Sequence, residues 1–304
     1  MITVYDNSSF ETYQSCPRAW FHKIICKREQ NTYKSGREFG SLIHRCLDSH
    51  YRGESIDIQH KYIDEHFEQN MGQLAPDDHR THGYAQTLLA NYKAMYPQEP
   101  FVVCTPMEQN IEIAFQLPFA TIDGVQVYWA GRIDLIVHYS SLDEYWIVDH
   151  KTHFRGGASA FDEYIRSTPQ WGYVWAARQL TGKPIKGFVI NMIITRSITR
   201  TGAGIGFERQ RFPVDDDMLD EWYITTHDEI ASLIQRQRAH DEITKLALSP
   251  NLTPRAFPCR NKNCTNKYGQ CEYLDVCRVP ASQREMLLYS NLYKDHTWNP
   301  IDIS

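Results

Sequence analysis

The sequence predicts an α/β protein with a central mixed β-sheet flanked by helices, an N-terminal helical region and a cysteine-rich C-terminal tail. Two observations carry this prediction. Up to about residue 100 and again after residue 214, apolar residues recur at helical spacing, whereas the residues between form short β-branched and aromatic runs. The resulting order is helices, three strands, a helix, two strands, a helix and an irregular tail, which favours a layered fold.

The N-terminal region is predicted to be mostly helical over residues 8–50, with Ser8 and Ser9 as candidate N-caps. Within 39–51, one apolar stripe has helical spacing and contains Leu42, Ile43, Cys46 and Leu47. A second helical region spans about 58–96 and is interrupted by the proline at position 76.

Strand-like runs begin after residue 107, where the hydrophobic period changes from helical spacing to alternation. Turn residues at 122–124 and 140–143 separate the first three strands. A helix at about 168–180 ends before Gly182 and Pro184. The remaining predicted elements are strands at 185–196 and 206–214, a long helix at 215–248 and an irregular tail from 249.

The 304 residues are interpreted as a single domain with three regions, 1–100, 101–213 and 214–304. A net charge of −5 weakens a general nucleic-acid signature, although a local basic groove can still bind nucleic acid. The first residues lack a signal-peptide pattern, and no apolar run approaches the roughly 18 residues of a membrane span. We therefore expect a cytoplasmic protein that does not contact a membrane.

The stretch IVDHKTHF, at 147–154, ends an apolar strand with Asp149 and Lys151 on one face. Charges at a strand end either pair with each other or enclose another charged group. Asp134 lies amid apolar residues on the preceding strand, and a short turn allows the two strands to bring these residues together. Two carboxylates and a lysine suit a divalent cation that holds a phosphodiester. An edge-strand acid and a simple salt bridge are the alternatives.

Together, GRIDLIV and YWIVDHKT resemble the paired acid and D-x-K motifs of PD-(D/E)xK nucleases, in particular the RecB-like exonuclease family. FGSLIHRCLD is similar to the G-x-x-x-H helix of that family, and STPQWGYVWAARQLTG is similar to its Q-x-x-x-Y helix. SSFETYQSCPRAWFHKI resembles its N-terminal segment, so the resemblance spans about 7–278. Tyr173 follows Gln170 by three positions rather than the four of the motif.

The resemblance implies a restriction-endonuclease-like core and a DNA exonuclease that uses Mg²⁺ or Mn²⁺. It makes His44, Asp134, Asp149 and the His150 carbonyl the metal ligands. Lys151 would assist water attack, while Gln170 and Tyr173 would position the strand. Glu108 could match an acid that some members carry near the first strand. The expected partners are single-stranded DNA or duplex ends, with a helicase or recombinase as a possible protein partner.

Four of the eight cysteines lie close together in the tail, namely Cys259, Cys264, Cys271 and Cys277. This crowding indicates metal ligands or reduced thiols rather than disulfides in an intracellular protein. The spacing lacks the C-x2-C knuckle of most zinc sites, and its wider loops suit an iron–sulfur cluster. A cluster held by four thiolates would take its fourth ligand from Cys259 or from elsewhere in the chain.

Iron–sulfur members of the RecB-like family place one cysteine near the N-terminus and three near the C-terminus. They include AddB-type subunits, exonuclease V and the CRISPR-adaptation exonucleases. This resemblance implies a cluster, most simply 4Fe-4S, bound by Cys16, Cys264, Cys271 and Cys277. It leaves Cys259 as a spectator.

Basic and aromatic residues alternate in the first forty positions, a pattern that suits single-stranded DNA through phosphate pairing and base stacking. A solvated helix face over core aromatics explains the same pattern equally well. The residues are Arg18, Lys23, Lys27, Arg28, Lys34, Arg37, Trp20, Phe21 and Tyr33.

Two rival functions are weighed against the exonuclease. A DNA-binding or adaptor module of the same fold would lack cleavage, and the intact set of His, Asp, Asp and Lys residues argues against it. A carboxylate-based sugar hydrolase would need neither Lys151 nor a metal.

Overall fold

The computed structural model describes residues 2–106, 109–197, 204–246, 253–266, 269–299 and 301. Eleven strands are described: β1 Val4–Asp6, β2 Arg28–Gln30, β3 Val102–Val103, β4 Ile111–Ile122, β5 Val125–Tyr139, β6 Glu144–His153, β7 Ile185–Thr195, β8 Ile205–Pro213, β9 Thr265–Asn266, β10 Gly269–Gln270 and β11 Tyr293–Asp295.

Eleven α-helices are described: α1 Asn7–Ser15, α2 Pro17–Trp20, α3 Ser35–Tyr51, α4 Ile56–Gln69, α5 His82–Met95, α6 Ala158–Phe161, α7 Thr168–Thr181, α8 Asp216–Lys245, α9 Thr253–Ala256, α10 Leu274–Arg278 and α11 Ala281–Leu288. A π-helical turn covers Phe21–Ile25, and short 3₁₀ turns cover Asp162–Tyr164 and Asn261–Asn263. None of these helices combines the length and the apolar character that a bilayer crossing requires.

A seven-stranded mixed sheet forms the centre of the fold, in the order β1-β5-β6-β7-β8, with β3 and β4 also paired to β5. The β5–β6 and β7–β8 pairs are antiparallel, whereas β1–β5 and β6–β7 are parallel. Helix α7 lies between β6 and β7 in the sequence, as a parallel connection requires. The predicted α/β class with a central mixed sheet is therefore confirmed.

The chain forms two compact units. The first unit contains Met1–Thr32, Phe115–Gly131 and Glu221–Ser304, and the second contains Tyr33–Ala114 and Arg132–Asp220. Strands β4 and β5 contribute residues to both units. The single domain with three sequential regions stays a prediction.

The second unit has a core between its strands and helices α3 to α5. The stripe predicted for α3 is buried, since Leu42, Ile43, Cys46 and Leu47 are at most 3% exposed. It packs against apolar side chains of the sheet, including Val148, Val189 and Ile193. Burial of each such aliphatic side chain is worth about 1.5–3 kcal/mol, so tertiary packing holds α3 against the strands.

A buried ion pair lies beside this core. The Arg209 guanidinium donates hydrogen bonds to Glu99 Oε1 at 2.9 Å and to the Tyr92 hydroxyl at 2.8 Å. It also lies 3.6 Å from the centre of the Tyr96 ring. The Arg209 and Glu99 side chains are only 12% and 16% exposed, so water scarcely solvates either charge. Each side chain therefore neutralises the charge of the other.

We expect Arg209→Met to lower the free energy of unfolding by about 3–5 kcal/mol, because it leaves the Glu99 carboxylate without its counter-charge. Arg211→Met is the matched control, since the exposed Arg211 guanidinium lies over the rings of Tyr139 and Trp146 and pairs with no acid among the described residues. Urea denaturation of both variants measures the difference. Equal losses in the two would show that the buried ion pair does not stabilise the fold.

The first unit has an aromatic core. Trp222 of α8 packs edge-on against Phe119 and Trp129, and Phe21 stacks on Phe257 with ring centres 4.9 Å apart. The tail is more regular than predicted, because β11 pairs with β2 and the short helices α10 and α11 precede it. The prediction that residues 8–50 are mostly helical did not include β2, where extended backbone gains hydrogen bonds from β11.

Four of the nine proposed DNA-contact residues are buried. Trp20 and Phe21 are 0% and 9% exposed, and Arg18 and Arg28 are 6% and 9% exposed. Arg28 donates to the backbone carbonyls of Leu288 and Tyr293, so it anchors the tail. These four residues are therefore structural rather than DNA contacts, because a buried side chain cannot stack on a base or pair with a phosphate.

Candidate active site and cysteine group

Strands β5 and β6 bring the predicted acid and the D-x-K motif together in the second unit. Leu135 is paired with Val148, so Asp134 and Asp149 are the next residues of the two antiparallel strands. The backbone N–H of His150 donates to Asp134 Oδ2 at 2.7 Å. Lys151 Nζ lies 2.8 Å from Asp149 Oδ2, so the acid and the lysine of the motif pair directly.

Helix α3 adds an imidazole to this edge of the sheet. His44 Nδ1 lies 3.5 Å from Asp134 Oδ2, and the two side chains are 26% and 10% exposed. His44 is thus partly open to solvent beside a buried acid, as its predicted place in the site requires.

Sequence reasoning missed Glu112. One ligand atom each of His44, Glu112 and Asp134 lies within 4.8 Å of the others, and the described residues contain no other such group of three. Glu108, the acid considered from the sequence, lies outside the described residues. In the sequence, Glu112 is an acid within the apolar run IEIAF. Half-buried strands commonly show this pattern, so it did not indicate a functional residue.

The backbone of Glu112 is strained. Its φ angle is +49°, in the left-handed region that non-glycine residues rarely adopt. Arg132 Nε holds the Glu112 carboxylate at 2.7 Å, and an Arg52 Nη atom donates to the carbonyl of Ile111 at 3.1 Å. Such strain costs about 1–3 kcal/mol and persists where surrounding contacts overcome it, often at functional sites.

Both acids of this group, Glu112 and Asp134, have raised pKa values. Burial raises the pKa of Glu112 to about 8, with the Asp134 carboxylate as the next cause. Burial also raises the pKa of Asp134, and the charge of Asp149 adds to the increase, while His44 opposes it. Burial alone would lower the pKa of Lys151, but Asp149 and Asp134 outweigh it and raise the value, which keeps the ammonium charged.

Helix α7 supplies the residue that holds Asp149. Gln170 Nε2 donates to Asp149 Oδ2 at 2.9 Å, and the Ser167 hydroxyl hydrogen-bonds the Gln170 side-chain oxygen. Gln170 is only 2% exposed, so its contact is with Asp149 rather than with a DNA strand. Tyr173, one turn further on and half-buried, interacts electrostatically with Lys151.

His150 contributes its backbone to this site and its ring to the core. The ring stacks on Tyr51 with centres 5.6 Å apart, and its Nδ1 lies 2.7 Å from Asn191 Nδ2. Burial holds the pKa of the ring well below its usual range, so the imidazole is neutral. The predicted metal ligand was the carbonyl of this residue, and the buried ring leaves that prediction unaffected.

Comparison with known proteins assigns a family to this arrangement. The profile of the PD-(D/E)XK nuclease superfamily matches residues 7–278, which is most of the chain. The chain belongs to the PD-(D/E)XK nuclease superfamily. No curated protein matches it significantly.

Two solved structures are similar to this chain at low identity. One is a candidate exonuclease from Eubacterium rectale, at 13% identity and a TM-score of 0.46, where the match covers 75% of this chain and 79% of that one. The other is the protein SSO0001, at 11% identity and a TM-score of 0.26, with 72% and 84% covered.

Nucleases of this superfamily use divalent metal ions, and the donor set of this site fits one. Carboxylate oxygens with one imidazole nitrogen suit Mn²⁺ or Mg²⁺ rather than a soft, thiolate-preferring ion. The raised pKa values of Glu112 and Asp134 also favour a bound cation at this site. Two buried carboxylates repel each other until a cation lies between them.

The structure also brings five cysteines of the first unit together, namely Cys16, Cys259, Cys264, Cys271 and Cys277, which we call the cysteine group. The backbone N–H of Arg260 donates to Cys16 Sγ at 3.4 Å, and the sulfur atoms of Cys259 and Cys264 are 3.9 Å apart. Cys16 and Cys271 are two of the nine residues that line a cavity of about 370 Å³. All eight cysteines of the chain are free thiols.

The spacing of the cysteine group differs from that of a single zinc site. Zn–S bonds of about 2.3 Å in a tetrahedron place thiolates roughly 3.8 Å apart. Within the described ranges, no three thiols have sulfur atoms that all lie within 4.8 Å of one another. Thiolates bound to different irons of one cluster lie further apart, so this wider spacing is compatible with an iron–sulfur cluster.

Proposed function

We propose that this protein is a metal-dependent DNA exonuclease of the RecB-like type, acting on single-stranded DNA or DNA ends, with a structural iron–sulfur cluster. The observation that supports it most is the convergence of His44, Glu112 and Asp134 beside the Asp149–Lys151 pair. A binding module would have no need of buried, mutually repelling acids next to a charged lysine.

The residues of the site would have separate roles in phosphodiester hydrolysis. His44, Asp134, Asp149 and the His150 carbonyl would hold Mg²⁺ or Mn²⁺, and Glu112 would join them. Such an ion, when bound, neutralises phosphate charge and lowers the pKa of water. The Lys151 ammonium stabilises the negative charge that develops on the phosphoryl oxygens as water attacks.

Two side chains of α7 support that lysine and its acid. Gln170 fixes one oxygen of Asp149, which keeps the carboxylate oriented toward Lys151. Tyr173 interacts with Lys151 and is partly exposed, so it would contact the DNA strand. A helicase or recombinase that exposes single strands is the partner class we propose.

Digestion of end-labelled DNA tests the proposed activity. We expect Mg²⁺ or Mn²⁺ to support release of nucleotides from the ends of single-stranded or duplex substrates, and EDTA to abolish it. A closed circular single strand, which has no ends, is the matched control and should survive. Tight DNA binding without cleavage under every metal condition would favour the adaptor module, and cleavage that resists EDTA would exclude the metal mechanism.

Iron analysis tests the proposed cluster. Protein purified without oxygen should be brown and contain iron, and serine at Cys16, Cys264, Cys271 or Cys277 should remove both properties, because thiolate ligands contribute folding free energy. Cys259→Ser is the matched control and should keep its colour. Stoichiometric zinc without visible absorbance would refute the cluster. Colour lost with Cys259→Ser but kept with Cys16→Ser would assign the fourth ligand to Cys259.

A further inference from the structure

Arg18 is a buried cation with no acidic partner among the described residues. It lies in α2, two residues after Cys16, and is 6% exposed. Its Nε donates to the Phe257 carbonyl at 2.6 Å. Throughout the described ranges, no carboxylate pairs with it and its guanidinium makes no further hydrogen bond.

The buried charge of Arg18 is not removed by loss of a proton, since arginine stays charged in proteins. An unpaired charge at such depth is destabilising, and native proteins compensate it with an opposite charge. A carbonyl oxygen satisfies one donor but does not neutralise the charge. An anionic group near Arg18 in the functional state would compensate this charge.

Three thiols and a second cation, Arg284, lie near Arg18. Cys277, Cys259 and Cys16 all interact electrostatically with its guanidinium. A thiol that binds a metal centre does so as a thiolate, so the proposed cluster ligands Cys16 and Cys277 are anionic when the centre is bound.

We propose that Arg18 is the counter-charge of the cysteine group, compensating the negative charge of its metal-bound thiolates; this rests on the proposed iron–sulfur cluster. The electrostatic benefit is mutual, because the cation stabilises the anionic cluster and the cluster stabilises the buried cation. Arg18 is a positioning and charge-compensating residue of the centre rather than a DNA contact, which its burial excludes.

Neighbouring residues hold the guanidinium in place. Phe257, which accepts its hydrogen bond, is fully buried and packs against Trp20 and Phe21. Arg284 is a second cation near Cys277, and one of its Nη atoms lies 3.5 Å from the Cys277 carbonyl. The surroundings of the thiols therefore carry positive charge, which favours a cluster with four thiolate ligands and makes its one-electron reduction easier.

Two substitutions of Arg18 in the full chain distinguish the effect of its charge from the effect of its packing. Arg18→Gln removes the charge but keeps an N–H donor for the Phe257 carbonyl, whereas Arg18→Lys keeps the charge. Arg278→Met is the control, since Arg278 is 61% exposed and pairs with Asp275. All are purified without oxygen, and circular dichroism checks that each is folded.

We expect Arg18→Gln to lose iron to a chelator several-fold faster than the wild type and to show a more negative reduction potential in an optical titration. Arg18→Lys and Arg278→Met should stay close to the wild type in both measurements. Equal behaviour of the Gln and Lys variants, or loss of fold in both, would overturn the role of Arg18 while leaving an iron-containing wild type intact. A wild type without iron would instead refute the proposed cluster itself, and the counter-charge with it.

Discussion

Lys151→Met is expected to lower the cleavage rate by a factor of about 10²–10³ or more, the usual effect of losing a group that stabilises charge only in the transition state. Methionine keeps most of the apolar stem, so the packing of β6 is retained. The metal ligands are untouched, and we expect metal and DNA affinity to change little. The loss should thus appear in turnover rather than in binding.

Single-turnover cleavage and equilibrium DNA binding, measured on the same preparation, check this expectation. Lys186→Met is the matched control, because Lys186 lies exposed on β7 and makes no ion pair with any described residue. Cleavage close to the wild-type rate in Lys151→Met would move the chemistry to another site. A parallel loss of metal affinity would instead indicate that Lys151 acts by holding Asp149.

Asp134→Asn and Asp149→Asn should each abolish metal-dependent cleavage, and the double variant should be little worse than either single one. Both acids are expected to bind the same ion, so one missing ligand already disables the site. Asp143→Asn is the control, since Asp143 lies in the β5–β6 turn and its side chain is 92% exposed. Independent, multiplicative losses in a sensitive assay would contradict a shared site.

The same acids give a stability test that does not depend on activity. Because burial raises the pKa of Asp134, its ionised form destabilises the metal-free protein at neutral pH, and this penalty vanishes below the ordinary pKa of an aspartate. Asp134→Asn should therefore raise the melting temperature without metal and reduce the further increase that Mn²⁺ produces. Asp149→Asn should lower it instead, because the charged Lys151 loses its partner. A lower melting temperature for metal-free Asp134→Asn would contradict the buried-charge account.

Local patterns in the sequence were enough to predict the fold class and the proximity of most residues of the candidate site. The apolar stripe of α3 and the β-branched runs of β5 and β6 depend on helix and strand periods, which a single segment displays by itself. The short turn between β5 and β6 then restricts their register, so the convergence of Asp134 with Asp149 and Lys151 could be inferred. Motif order added His44 and Gln170 to the same site.

Only the tertiary structure decided which charged residues are buried and what they face. Glu112 lies beside His44 and Asp134 with a strained backbone and a carboxylate paired to Arg132, and no local pattern distinguishes it from a solvated strand acid. Arg18 and Trp20 had the composition of a DNA-binding surface, yet they are buried. Arg18 contacts Phe257, far away in the sequence. Burial depends on contacts between distant segments, whereas sequence periodicity reports only which residues share a face of one element.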